Sequence, residues 1–252
     1  MRDVILLVAV VSLLLLVGCV SATDVGTAGM RNGTTVNIQS GGQSYPAYIT
    51  TPGDGGPYPA VVLIHSFNGL EPGYQVMVDR LATEGFVVIA PEWQTFEESP
   101  EDNVTEALVR DTVTYLETRP EVNESSIGLT GFCAGGRYTM LFLPQIEEFN
   151  SGVVWYGFPY SGGQANGTVP AVLIDNITDP MLIIHGTADE ASPVVDIYRY
   201  ATALDEAGKY FELKVYQGEP HGFMIEDGEL SESPVAESAY EEMVGFFNRT
   251  LG

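Results

Sequence analysis

The stretch Ser126-Ile127-Gly128-Leu129-Thr130-Gly131-Phe132-Cys133-Ala134-Gly135-Gly136 decides how this chain is read. Ser126–Gly131 has the character of a strand, and Arg137–Ile146 that of a helix. Between them, glycines stand two residues before and two residues after Cys133. That is the G-x-C-x-G spacing of a nucleophile elbow, with cysteine where serine is usual. The reason for the spacing is steric. A tight strand-to-helix turn brings the two elements so close that side chains at Gly131 and Gly135 would collide with backbone. The same turn sets Cys133 at a helix N-terminus, where free N–H groups and the helix dipole favour negative charge on sulfur.

Outward from this turn, strands and helices alternate. Thr34–Gln39 and Ser44–Thr51 read as a leading hairpin around Gly41-Gly42. Pro59–His65, Phe86–Ala90, Gly152–Tyr156, Met181–His185 and Tyr210–Tyr216 read as further strands. Gly73–Glu84, Val104–Leu116, Val194–Ala207 and Val235–Leu251 have helical spacing. Near-continuous apolar runs such as Pro59–His65 suit strands buried on both faces. The pattern predicts an α/β fold: a mostly parallel central sheet flanked by helices on both faces. Ligands bind such sheets beyond the C-terminal ends of the strands.

A nucleophile needs a base, and the chain holds three histidines, His65, His185 and His221. His221 follows the last strand in Gly218-Glu219-Pro220-His221-Gly222-Phe223, the place for a general base. His65 and His185 sit at strand ends and read as satisfied core or loop residues. Asp189, in His185-Gly186-Thr187-Ala188-Asp189, follows the preceding strand, where a carboxylate can hold the imidazole tautomer; Glu190 is its runner-up. The oxyanion donors fall by position on the N–H of Ala134 and on the loop His65-Ser66-Phe67-Asn68-Gly69, with Phe67 as the candidate. No His, Cys and Asp cluster has metal-ligand spacing, and no cofactor is expected.

The remaining features concern location. An apolar run from Val4 to Val17 ends in Leu16-Val17-Gly18-Cys19, signal-peptide length followed by a lipobox-like cysteine. Residues 1–19 are therefore expected to be a lipoprotein signal with lipidation at Cys19, and residues 20–33 a polar spacer. Residues 34–252 form the folded domain. Cys19 and Cys133 are the two cysteines, so a lipidated Cys19 leaves Cys133 as an unpaired thiol in an exported protein, a liability unless it acts. Six N-x-Ser/Thr sequons (Asn32, Asn103, Asn123, Asn166, Asn176 and Asn248) fit a glycosylated exterior. With 34 acidic against 10 basic residues the net charge is -24, which disfavours nucleic acid as a partner. Two readings of this acidity stay open, a soluble secreted protein or adaptation to high salt. Export, sequons and acidity together suggest an archaeal source. The domain is expected to be a monomer, lipid-anchored at the extracellular face of the cell membrane or secreted.

The cysteine elbow GFCAGG, the HGTAD loop, the PHGF loop and the HSFNGL loop resemble the dienelactone hydrolase family over residues 34–251. The resemblance implies an α/β-hydrolase fold and hydrolysis of esters or lactones through a thiol ester, with Cys133, Asp189 and His221 on the triad positions. Two departures stand out. The family's best-known enzymes have a Glu where Ser66 stands, and an Arg shortly after the triad His, where Gly222-Phe223-Met224-Ile225 follow here. A neutral, more apolar ester is expected as substrate. Ser66, Trp155, Tyr156 and Phe223 are candidates for the substrate pocket, beside Phe67, Phe158 and Met224. The rival readings are a non-catalytic binding domain on the same fold and an exported peptidase or thioesterase.

Overall fold

Strands β1 (Thr34–Ser40) and β2 (Gln43–Thr50) form the expected hairpin, antiparallel with Ser40 opposite Gln43. Gly41 and Gly42 at its tip have φ of 57° and 79°, the two-residue turn whose twist matches the flanking strands. The computed structural model describes residues 32–53 and 55–252. The signal segment, Cys19 and nearly all of the spacer lie outside the described residues.

The chain continues through β3 (Tyr58–Ile64), α1 (Pro72–Thr83), β4 (Val87–Pro91), α2 (Asp102–Glu117), β5 (Val122–Phe132) and α3 (Ala134–Phe142). It closes with β6 (Phe149–Trp155), β7 (Met181–Gly186), α4 (Val194–Glu206), β8 (Phe211–Tyr216), β9 (Ile225–Glu226), β10 (Glu229–Leu230) and α5 (Pro234–Thr250). The main sheet runs β1-β2-β4-β3-β5-β6-β7-β8. From β4 to β8 neighbouring strands are parallel, and β2 joins β4 antiparallel. This is the α/β-hydrolase architecture.

Alternation along the central strands explains their continuous apolar runs. Val62 and Ile64 of β3, with Met181 and Ile183 of β7, pack into one core with α2, α3 and α4. Val61 and Leu63, with Leu182 and Ile184, pack into the other with α1 and α5. Each such side chain, fully removed from water, contributes roughly 1.5–3 kcal/mol of transfer free energy. A polar residue on either face would therefore break a core. Among the described residues no helix is long and apolar enough to cross a membrane.

Two details differ from the sequence reading. Helix α3 starts at Ala134, directly after Cys133, and stops at Phe142, because Pro144 has no N–H to carry the ladder on. The small β9–β10 ribbon was not anticipated. It turns on Asp227 and Gly228, with φ of 50° and 84°, an Asp-Gly pair that suits a tight hairpin. The Gly228 carbonyl accepts from the N–H of Gly73 at 2.8 Å. The segment after His221 is thereby tied to the start of α1.

Candidate active site

Cys133 caps α3 with φ 57° and ψ -112°, a backbone region that non-glycine residues rarely occupy and that clusters at functional sites. The strain is held from several sides. A Cβ on Gly131 would lie 2.1 Å from the Gly135 carbonyl oxygen, and one on Gly135 would lie 2.0 Å from that of Ile64. The N–H of Cys133 donates to the Trp155 carbonyl at 3.1 Å. The elbow is thus wedged between β3 and β6, with the Cys133 thiol free and partly exposed at the strand ends.

Asp189 and His221 arrive on the loops after β7 and β8. Those loops are laced together by Thr187 N–H to Tyr216 O at 3.0 Å and Ala188 N–H to Glu219 O at 3.0 Å. Gly186 permits this approach, since a Cβ there would sit 2.1 Å from the Glu219 oxygen. The Asp189 side chain is fully buried. Its Oδ1 accepts from the N–H groups of Ala191 and Ser192 at 2.9 and 2.7 Å, and its Oδ2 accepts from His221 Nδ1 at 2.8 Å. Every carboxylate oxygen therefore has a partner, and the bond from Nδ1 orients the His221 ring so that Nε2 faces away from Asp189. Glu190, the runner-up, points to solvent.

Burial opposes charge on the His221 ring, but the Asp189 carboxylate and the Cys133 sulfur outweigh it and raise the imidazole to about 9. The sulfur acts by proximity: His221 Nε2 is buried without a formed hydrogen bond among the described residues. The other two histidines lie deeper, and His185 Nε2 comes within 3.4 Å of Asp189 Oδ2. Burial lowers His65 to about 4, with Nδ1 against the Ser66 carbonyl at 2.8 Å and its ring stacked on Trp93. His185 is also lowered by burial, and its Nε2 lies 2.8 Å from the Ser192 carbonyl. Neither ring bonds Cys133, and both are enclosed by the core.

A cavity of about 280 Å³ opens beside Cys133, with Phe67 and Ala134 in its wall. The loop that presents Phe67 is shaped by one bond within it and one from outside. Asn68 N–H donates to Ser66 Oγ at 3.2 Å, and Gln94 Nε2 donates to the Phe67 carbonyl at 3.0 Å. Of the pocket candidates named from the sequence, Phe67 and Phe158 line this cavity. Trp155, Tyr156 and Phe223 do not; they are buried in the core beneath the elbow. Their place is structural: the Trp155 ring at the end of β6 stacks on Phe132, and the Phe223 ring packs against those of Trp155 and Tyr156. Tyr156 still bears on the site, its ring 5.0 Å from that of His221. Ser66 is buried too, its Oγ 3.5 Å from Glu71 Oε2.

The residues that do wall the cavity include Trp93, Tyr138, Asp102 and Arg137, none of which sequence reasoning singled out. One signal was available. Arg137 lies four residues after Cys133, one turn along α3 and on the same face. Among the described residues no group of three or more His, Cys, Asp or Glu side chains is placed to hold a metal.

An eight-stranded, mostly parallel sheet with a strained elbow between β5 and α3, and an Asp–His pair on the loops after β7 and β8, defines an α/β-hydrolase. The chain belongs to the dienelactone hydrolase family, whose model matches residues 45–251. It is 26% identical over 224 residues to a "Putative carboxymethylenebutenolidase" of Methylorubrum extorquens, covering 81% of this chain and 76% of that protein. It is 28% identical over 239 residues to Protein usf of Aquifex pyrophilus, covering 87% of this chain and 99% of that one. Among solved structures it is similar to a "Putative Dienelactone Hydrolase" from Klebsiella pneumoniae, with a TM-score of 0.78 at 23% identity, covering 86% of this chain and 98% of that one. Fold and family make the chain a hydrolase.

Proposed function

We propose that this hydrolase cleaves carboxylic esters or lactones through a cysteine acyl-enzyme. The observation that carries the reading is the position of Cys133: strained at the apex of the elbow, in the wall of a cavity it shares with Phe67 and Ala134. The Asp189–His221 hydrogen bond supports it. In the mechanism, the Cys133 thiolate adds to the substrate carbonyl carbon. The N–H groups of Phe67 and Ala134 receive the negative charge that develops on the oxygen. His221, protonated and oriented by Asp189, gives its proton from Nε2 to the departing alkoxide as the C–O bond breaks. The neutral ring then takes a proton from water, which attacks the thiol ester and releases the acid and the thiolate. Esters suit this chemistry better than amides because an alkoxide is the easier leaving group.

A set of p-nitrophenyl esters of increasing acyl length tests the reading. Hydrolysis by the wild-type chain is expected to vanish in Cys133→Ala and to persist at a low level in Cys133→Ser, where His221 and Asp189 activate a hydroxyl instead. Wild-type rates in Cys133→Ala would rule the cysteine out as nucleophile.

A further inference from the structure

Arg137 is the cation nearest the elbow in the cavity wall, yet its charge is already taken. Its Nη1 and Nη2 donate to the two carboxylate oxygens of Asp102, each at 2.8 Å, in a fork-on-fork pair. Its Nε donates to the Ser161 carbonyl at 2.9 Å, and Nη2 also reaches the Thr168 carbonyl at 2.7 Å. Asp102 Oδ2 accepts from the Thr168 N–H at 2.8 Å as well. The Arg137 side chain is 4% exposed and that of Asp102 16%. The pair thus clasps the segment from Ser161 to Thr168 over the cavity and cancels its own charge. Arg137 and Asp102 are the charged residues of that wall, and Phe67, Trp93, Tyr138 and Phe158 give it an apolar, aromatic character.

We propose that Asp102 is a specificity-determining residue of this site. By masking Arg137 it fits the cavity to short, uncharged acyl groups, and loss of its charge opens the cavity to acyl chains ending in a carboxylate. The proposal rests on the ester-hydrolase reading above. A carboxylate entering the wild-type cavity meets no free cation in the wall, and a buried charge without a partner is strongly disfavoured. The size follows from the volume, about 280 Å³, just under the roughly 300–1,000 Å³ of common small-molecule pockets.

The test compares p-nitrophenyl butyrate with p-nitrophenyl hemisuccinate, whose acyl chain is of similar length but ends in a carboxylate, each over a no-enzyme blank. For the wild-type chain, kcat/KM is expected to favour the butyrate by at least about tenfold, as for a site lacking the partner a buried charge needs. That preference should survive molar NaCl, which screens the overall acidity of the surface but not a pocket wall. In Asp102→Asn the amide oxygen still accepts from Thr168 while the guanidinium loses its counter-charge. The ratio should then move toward the hemisuccinate by about tenfold or more, and adding Arg137→Gln should cancel the move. Equal rates for the two esters in molar salt, or an unchanged ratio in Asp102→Asn, would overturn the proposal. If the Asp102→Asn chain does not fold, the wild-type preference in molar salt decides alone. Failure of the wild-type chain to hydrolyse either ester would instead strike the ester-hydrolase reading, and the specificity proposal with it.

Discussion

At the scale of single residues, the site is an arrangement of one strained cysteine, one buried carboxylate and one imidazole between them. Cys133 could be singled out in the sequence because so little else competed: it is one of two cysteines, flanked by glycines that a crowded turn requires. His221 and Asp189 followed from chain order. The pocket did not follow, because its wall is made by contacts distant in sequence, Arg137 to Asp102 and Arg137 to Thr168. Aromatic residues expected at the mouth of the site, Trp155 and Phe223, turned inward instead. The raised imidazole gives a pH prediction. With a pKa of about 9, above the ordinary value of 6.5, His221 stays protonated through neutral pH and loses its proton as pH rises through about 9. Acylation, which needs that proton for the leaving group, should fall on the alkaline side near pH 9 in a kcat/KM profile. Asp189→Asn removes a cause of the upward shift, so the alkaline limb should move to lower pH as overall activity drops. A limb that stays in place would mean that another group sets it.

At the scale of elements, periodicity located the strands and helices of the main fold because each has a fixed face to bury. Boundaries were less legible. The elbow starts α3 three residues before the Arg137 expected from apolar spacing, since backbone geometry and not side-chain burial defines that end. The β9–β10 ribbon is two residues per strand, too short for any period to show. The closing helix offers a quantitative test. Its N-cap, Ser233, accepts from the Ala236 N–H at 3.1 Å, and Pro234 occupies the first helical position. Because α5 packs Phe246 and Phe247 into one of the two cores, loss of the cap should weaken the whole domain. Ser233→Ala is expected to lower unfolding stability by about 1 kcal/mol in urea titration, with an unchanged m-value. No change would show that water or a neighbouring group caps the helix equally well.

At the scale of the whole molecule, charge dominates. A net charge of -24 sets the surface against itself, and salt relieves such self-repulsion within a Debye length of roughly 10 Å at 0.1 M. If the acidity reflects a high-salt habitat, the melting temperature should climb steadily from millimolar to molar NaCl. A flat response would favour the plainer reading of an acidic secreted protein. The sequence could supply this expectation but not its cause, because composition alone does not say which charges face one another.

The central claim, that Cys133 carries the acyl group, is tested most directly by trapping it. The protein is mixed with a p-nitrophenyl ester of a slowly released acyl group such as pivalate, quenched in acid during turnover, and digested for mass spectrometry. The account predicts that the peptide containing Cys133 gains one acyl mass in the wild-type chain, and that neither the adduct nor turnover is seen in Cys133→Ala. Undiminished turnover in Cys133→Ala, with the Cys133 peptide of the wild-type chain unmodified throughout, would contradict it.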